Sequence, residues 1–181
     1  MYHTELFCTF ALGKATVRLQ LAMGMNKEDK EMRYRRLLPQ VEALCKDETD
    51  EVARMANVCA LLHAEFGFWW TGFYRVLPVG GHEHGQLVLG PFQGPLACMR
   101  IDYGRGVCGT AWKEGRTVVV PDVEQFPGHI ACSAESRSEV VVPLRKEGKV
   151  TAVLDIDSRE LATFDEVDAR WLEQVAAQVV R

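Results

Sequence analysis

The sequence predicts an α+β fold: a mainly antiparallel central sheet flanked by N- and C-terminal helices and covered on one face. Three observations carry that prediction. Apolar residues recur at helical spacing near both ends of the chain, strand-like runs follow one another between them, and no internal repeat or linker divides the two regions.

Residues 1–26 read as an N-terminal appendage, since their apolar positions follow no sustained period, and residues 27–181 read as a single domain. Asn26 is placed to cap a helix from Lys27 to about Arg36, whose mixed charges form a solvated face. Pro39 then restarts the helix and carries Val41, Leu44 and Cys45 to a break over 46–49. Val52, Met55, Ala56, Cys59, Leu62 and Phe66 make an amphipathic core helix that Gly67 ends. Strand patterning begins at Phe68 and reaches Val76, a turn-like stretch covers 78–85, and a second strand runs from Gln86 to Phe92, giving a hairpin with a long loop. A strand over Ala97–Asp102, a short helix over Gly106–Lys113, and strands over Thr117–Val120, Glu139–Leu144 and Lys149–Asp157 complete the middle of the chain. The last helix opens with a capping box over Thr163–Glu166 and lines up Val167, Trp171, Val175 and Val179 on one face.

A chain of 181 residues fits one domain and buries a core without staples. With a net charge of −4 it has no broad basic field, which argues against nucleic acid as a partner. No apolar run approaches the roughly 18 to 20 residues that span a bilayer, so no membrane is expected. The apolar stretch Leu6–Leu12 precedes Lys14 and Arg18 instead of following positive charge, unlike a secretory signal. The expected location is cytoplasmic, where the 6 cysteines default to free thiols.

Those cysteines fall into two groups. Cys45 and Cys59 lie on apolar helix faces and read as buried, inert thiols, and Cys8 belongs to the appendage. Cys98, Cys108 and Cys132 stand in polar or glycine-rich settings near element ends, which permit exposure and a lowered thiol pKa. Their separations of 10 and 24 residues lack the short clip of a structural zinc site, even with His129 near Cys132, so the expected metal is none. His82 and His84 read as solvated loop side chains in preference to a metal pair. A redox role needs only that loops bring two or three thiols together.

In Val153-Leu-Asp-Ile-Asp157 the period of two puts Asp155 and Asp157 on one face of a strand and Leu154 and Ile156 on the other. Two like charges in so apolar a strand destabilise it unless a cation or ligand uses them, and Glu139 adds a third carboxylate. In Phe68-Trp-Trp-Thr-Gly-Phe-Tyr74 the same alternation groups Phe68, Trp70 and Gly72, with Tyr74 following, against Trp69, Thr71 and Phe73. One set is core; the other is a candidate pocket wall.

Trp70-Thr-Gly-Phe-Tyr74, Leu87-Val-Leu-Gly-Pro-Phe-Gln-Gly94, Ala97-Cys98, Gly104-Arg-Gly-Val-Cys-Gly-Thr110, Gly128-His-Ile-Ala-Cys132, Ser138-Glu139 and Val153-Leu-Asp-Ile-Asp-Ser158 together resemble the free methionine-(R)-sulfoxide reductases, which are GAF-domain enzymes. The resemblance runs in order from about Lys27 to the C-terminus and includes a cysteine trio that ordinary GAF domains lack. It leaves residues 1–26 and the 78–85 loop outside the pattern.

The resemblance implies a GAF-like catalytic domain over 27–181 that reduces free L-methionine (R)-sulfoxide through a cysteine sulfenic acid and an intramolecular disulfide. It implies no bound cofactor and thioredoxin as external reductant. It makes Cys132 the attacking thiol, Cys98 the favoured resolving thiol, and Cys108 a second resolving or alternative catalytic thiol. Glu139 and Asp157 would bind and protonate the sulfoxide oxygen, directly or through water, and Asp155 would orient the ammonium. Trp70 and Tyr74 would receive the methyl end, and backbone N–H groups around Ser133, Ala134, Glu135 and Ser136 would hold the carboxylate. By analogy with other GAF domains the helical region 27–66 offers a homodimer contact. The alternative is a small-molecule-binding or redox-sensing GAF module without catalysis.

Overall fold

A computed structural model describes residues 25–128 and 135–181. The expected appendage therefore lies outside the described residues as far as position 24, and so does the segment 129–134.

Helix α1 spans Lys27–Cys45 and α2 spans Glu51–Phe66. Strands β1 (Trp70–Leu77), β2 (Gln86–Gln93) and β3 (Arg100–Ile101) come next, then α3 (Gly106–Glu114), β4 (Val118–Val120) and a 3-10 turn at Val123–Gln125. Strands β5 (Ser138–Lys146) and β6 (Lys149–Ser158) and helix α4 (Glu166–Val179) close the order. The six strands form one antiparallel sheet in the order β3-β2-β1-β6-β5-β4.

Local chemistry explains most boundaries. The Asn26 side chain accepts a hydrogen bond from the Asp29 amide at 2.9 Å, and Asp50 accepts one from Ala53 at 2.8 Å, so both helices begin on a satisfied cap. Gly67, with φ +67°, takes the left-handed turn that ends α2. The β5–β6 turn passes through Glu147 and Gly148, both at positive φ, as a tight hairpin turn requires.

Four expectations are corrected. Pro39 does not divide α1: it and Arg35 are exposed, so the carbonyl left without an amide partner faces water, and the buried stripe Tyr34, Leu37, Val41, Cys45 continues across it. In α2 the buried face is Met55, Val58, Cys59 and Leu62, while Val52 and Ala56 turn outward. The cap of α4 is Asp165, whose side chain accepts from Val167 at 2.7 Å while Asp168 reaches back to the Asp165 amide at 3.0 Å. The strand expected over Ala97–Asp102 shrinks to Arg100–Ile101.

The sheet is also covered on both faces, not one. Helices α1, α2 and α4 bury Phe73, Val140, Val142, Leu154 and Ile156 on one side. On the other side Val107, Ala111 and Trp112 of α3 pack with Trp70, Tyr74, Val141 and Val153. A nine-residue helix is enough for that second layer because α3 lies across β5 and β6.

Candidate active site

Register sets the site. Trp70 of β1 pairs with Asp157 of β6, and Asp157 pairs in turn with Glu139 of β5. One step along, Gly72 pairs with Asp155, which pairs with Val141. Paired residues share a face, so Trp70, Asp157, Glu139 and Asp155 point together toward α3. The alternation expected in β6 holds, with Leu154 and Ile156 fully buried on the helix side.

Helix α3 brings Cys108 down onto this cluster. Its sulfur lies 4.0 Å from Oε1 of Glu139, and a cavity opens between Trp70, Tyr74, Cys108, Glu139, Asp155 and Asp157. The Trp70 ring stacks between Tyr74, at 5.9 Å, and Phe92, at 5.5 Å. The Trp70 indole donates to the Pro95 carbonyl at 3.2 Å, and the Tyr74 hydroxyl donates to the Cys98 carbonyl at 3.0 Å. The aromatic wall therefore also fixes the backbone that carries Cys98.

Burial dominates the electrostatics. Glu139 and Asp155 are 6% and 7% exposed, and among the described residues Arg105 is the one basic side chain in the lining. Desolvation pushes Asp155 up to about 6. It pushes Glu139 and Asp157 well above the usual carboxylate range, and the nearby Asp155 charge raises both further. A Ser136 hydrogen bond works the other way on Asp157. The cluster thus favours a charge on Asp155 over one on Glu139 or Asp157. Oδ1 of Asp155 is buried and has no hydrogen-bond partner among the described residues, which leaves an acceptor for an incoming N–H donor.

The expectation of an exposed, acidified thiol fails at Cys108. It is fully buried, and desolvation followed by the Asp155 and Glu139 carboxyls pushes its pKa well up, so it is a weak nucleophile. Cys98 is partly buried and disulfide-bonded, whereas Cys45, Cys59 and Cys108 are free thiols. Cys45 and Cys59 are buried as expected, and burial raises Cys59 to about 12.

Cys132, Ser133 and Ala134 lie outside the described residues, as does His129. Ser136 lines the cavity, but Glu135 points away and pairs with Arg159 at 2.5 Å. Phe68 precedes β1 and joins the helix-side core against Phe66 and Phe164, so the alternation expected from it starts only at Trp70. His82 faces Asp102 at 3.3 Å and the His84 ring packs at a tilt against Tyr103.

Sequence reasoning grouped Gly72 with Trp70 without giving it a role, and missed Arg105. Gly72 leaves the space that the Trp70 ring fills: a Cβ there would stand 2.3 Å from the ring. Glycine inside an aromatic strand is the signal for such a close approach. Arg105 lines the cavity at the N-cap of α3, where a guanidinium joins the free N–H groups of a helix start. Cys108, Glu139 and Asp155 also hold their donor atoms within 4.8 Å of one another, so this trio is where a compact cation could be held.

Comparison with known proteins gives a consistent result. The GAF domain family model matches residues 47–181. GAF domain-containing protein A of Dictyostelium discoideum is 52% identical over 153 residues, covering 84% of this chain and 94% of that protein. The free methionine-R-sulfoxide reductase of Escherichia coli is 45% identical over 138 residues, covering 76% of this chain and 80% of that protein. The solved free methionine-R-sulfoxide reductase of Neisseria meningitidis, in complex with its substrate, superposes with a TM-score of 0.79 at 54% identity, covering 83% of this chain and 88% of that one.

Proposed function

The chain belongs to the free methionine-R-sulfoxide reductases, a family of GAF-domain proteins, and we propose that it reduces free L-methionine (R)-sulfoxide to L-methionine with residues 27–181 as its catalytic domain. The observation that carries this reading is the convergence of Glu139, Asp155 and Asp157 with Cys108 opposite Trp70 in one cavity.

In this mechanism the Asp155 carboxylate takes the substrate ammonium at its open Oδ1. Arg105 and backbone N–H groups around 133–136 take the carboxylate, and Trp70 and Tyr74 receive the methyl end. The sulfoxide oxygen then lies between the acids Glu139 and Asp157. Cys132 thiolate attacks the sulfoxide sulfur while a carboxylic acid protonates the oxygen. The S–S bond formed in that attack then breaks as the oxygen passes from the substrate sulfur to the Cys132 sulfur, so the substrate S–O bond is exchanged for a Cys132 S–O bond, methionine leaves reduced by two electrons, and Cys132 is left as a sulfenic acid. The Cys98 thiol displaces it as water to give a Cys98–Cys132 disulfide, and thioredoxin reduces that bond.

The disulfide bond at Cys98 supports its part as resolving thiol, and the high pKa of Cys108 argues against an attacking role for it. A peptide-bound sulfoxide lacks the two charges the site is built to meet, which accounts for a preference for the free amino acid. No helix of the described residues is long and apolar enough to cross a membrane.

The test is depletion of free (R)-sulfoxide, free (S)-sulfoxide and a peptide-bound (R)-sulfoxide, each with a thioredoxin system. Consumption of the free (R) form alone is the expected result. If none is consumed with the thiols confirmed reduced, the chain is a ligand-binding or redox-sensing GAF module instead.

A further inference from the structure

Among the described residues, the two most exposed large apolar side chains bracket the disulfide-bonded cysteine. Leu96 is 90% exposed and Met99 is 74% exposed, and Cys98 lies between them. Their exposure is not fraying. The backbone there is pinned from three directions: Pro95 carbonyl by the Trp70 indole at 3.2 Å, Cys98 carbonyl by the Tyr74 hydroxyl at 3.0 Å, and Met99 carbonyl by the Leu89 amide at 3.1 Å. Ala97 and Cys98 turn inward against the α3-side core, and Leu96 and Met99 are held out to solvent.

We propose that Leu96 and Met99 form the docking surface for a dithiol protein of the thioredoxin type, seated on the Cys98 disulfide. This rests on the thioredoxin-recycled reading above. The disulfide names the occupant, because closing the catalytic cycle requires an external dithiol to reach it. One thiolate of that protein attacks a disulfide sulfur, forms a mixed disulfide and releases one cysteine as thiolate. Its second thiol attacks the mixed disulfide and frees the other. Two electrons pass from the dithiol to the Cys98 pair, and the partner leaves oxidised. Two apolar side chains on a rigid segment give that short-lived complex a contact that a small thiol has no use for.

The experiment compares turnover of free methionine (R)-sulfoxide by the full chain with two reductants, thioredoxin with its reductase, and dithiothreitol. Met99→Ser is expected to lower kcat/KM for thioredoxin about fivefold while the dithiothreitol-driven rate stays unchanged. Leu96→Ser/Met99→Ser, which also touches the cavity rim, is expected to lower the ratio of thioredoxin-driven to dithiothreitol-driven rate at least about tenfold. Equal performance of variants and wild type with thioredoxin overturns the proposal. So does an equal loss with both reductants, a wild type recycled by dithiothreitol but not by thioredoxin, or a change of oligomeric state that assigns the patch to a second copy of this chain. A wild type inactive with both reductants defeats the parent reading instead.

Discussion

Gly72 stands directly across from Asp155 in the β1–β6 pairing, and the ring of Trp70 occupies the space above it. A methyl group at position 72 would meet that ring at 2.3 Å and the Phe92 Cβ at 2.6 Å. Trp70 must then tilt into the cavity or away from it. Gly72→Ala is expected to keep the fold, because the strand pairing is untouched, and to lower kcat/KM for the sulfoxide by up to about 100-fold, the scale of a 1 Å misplacement at a reacting centre. Steady-state kinetics and tryptophan emission on the variant check both halves.

The cysteines separate by what remains when each is removed. Cys132→Ser is expected to abolish turnover. Cys98→Ser is expected to release about one methionine per chain and stop, leaving a sulfenic acid that a dimedone-type reagent traps. Cys108→Ser is expected to keep the Cys98 disulfide, since Cys108 is a free thiol, buried on the inner side of α3. Single-turnover assays with mass spectrometry distinguish the three.

The pH dependence follows from one carboxylate and two acids. Asp155 must be charged to hold an ammonium, so kcat/KM is expected to rise through about pH 6. Glu139 and Asp157 must keep protons, so it falls again on the alkaline side, where both titrate well above the usual range. The same shift acts on stability. The folded value of about 6 exceeds the ordinary 3.8, so the folded state binds the proton more tightly, and this contribution to stability is lost as pH rises from about 4 through about 6. At pH 7.5 the buried charge opposes folding by about 3 kcal/mol. Asp155→Asn is therefore expected to melt several degrees above the wild type at pH 7.5, to narrow that gap at pH 5, and to lose the acid limb along with most activity.

Much of this site was legible because strand alternation is a local property. Asp155 and Asp157 against Leu154 and Ile156, and Trp70 against Phe73, separate by period alone. What stayed hidden depends on partners distant in sequence. Gly72 matters only because β1 pairs with β6, 83 residues away at Asp155, and Cys108 is buried only because α3 lies over that pair. The context Gly-Val-Cys-Gly reads as an exposed helix start, but those glycines let the helix approach closely: a Cβ at Gly109 would stand 2.5 Å from the Asp102 carbonyl oxygen. Pro39 and the Asp165 cap were misplaced for a smaller reason. Exposure decides whether a proline breaks a helix, and Thr163 and Asp165 are both acceptable caps until the backbone selects one.

The last prediction concerns what keeps the helix-side layer in place. Lys30 of α1 is buried, and its ammonium donates to the Thr163 carbonyl at 2.7 Å, to Asp165 at 3.0 Å and to Asp168, which also accepts from the Tyr34 hydroxyl at 3.0 Å. This clasp fixes α1 against the start of α4. Lys30→Met removes the cation and leaves Asp168, only 1% exposed, as an uncompensated buried charge. The expected loss is about 3 to 5 kcal/mol. Removing the charge as well, in Lys30→Met/Asp168→Leu, is expected to recover much of it, because the larger part of the loss is the stranded carboxylate and not the missing pair. Denaturant unfolding of the two variants decides between these terms. The clasp and the cavity lie on opposite faces of the sheet, so KM for the sulfoxide at low temperature is expected to match the wild type in both; a large change would mean that the helix layer also shapes the cavity.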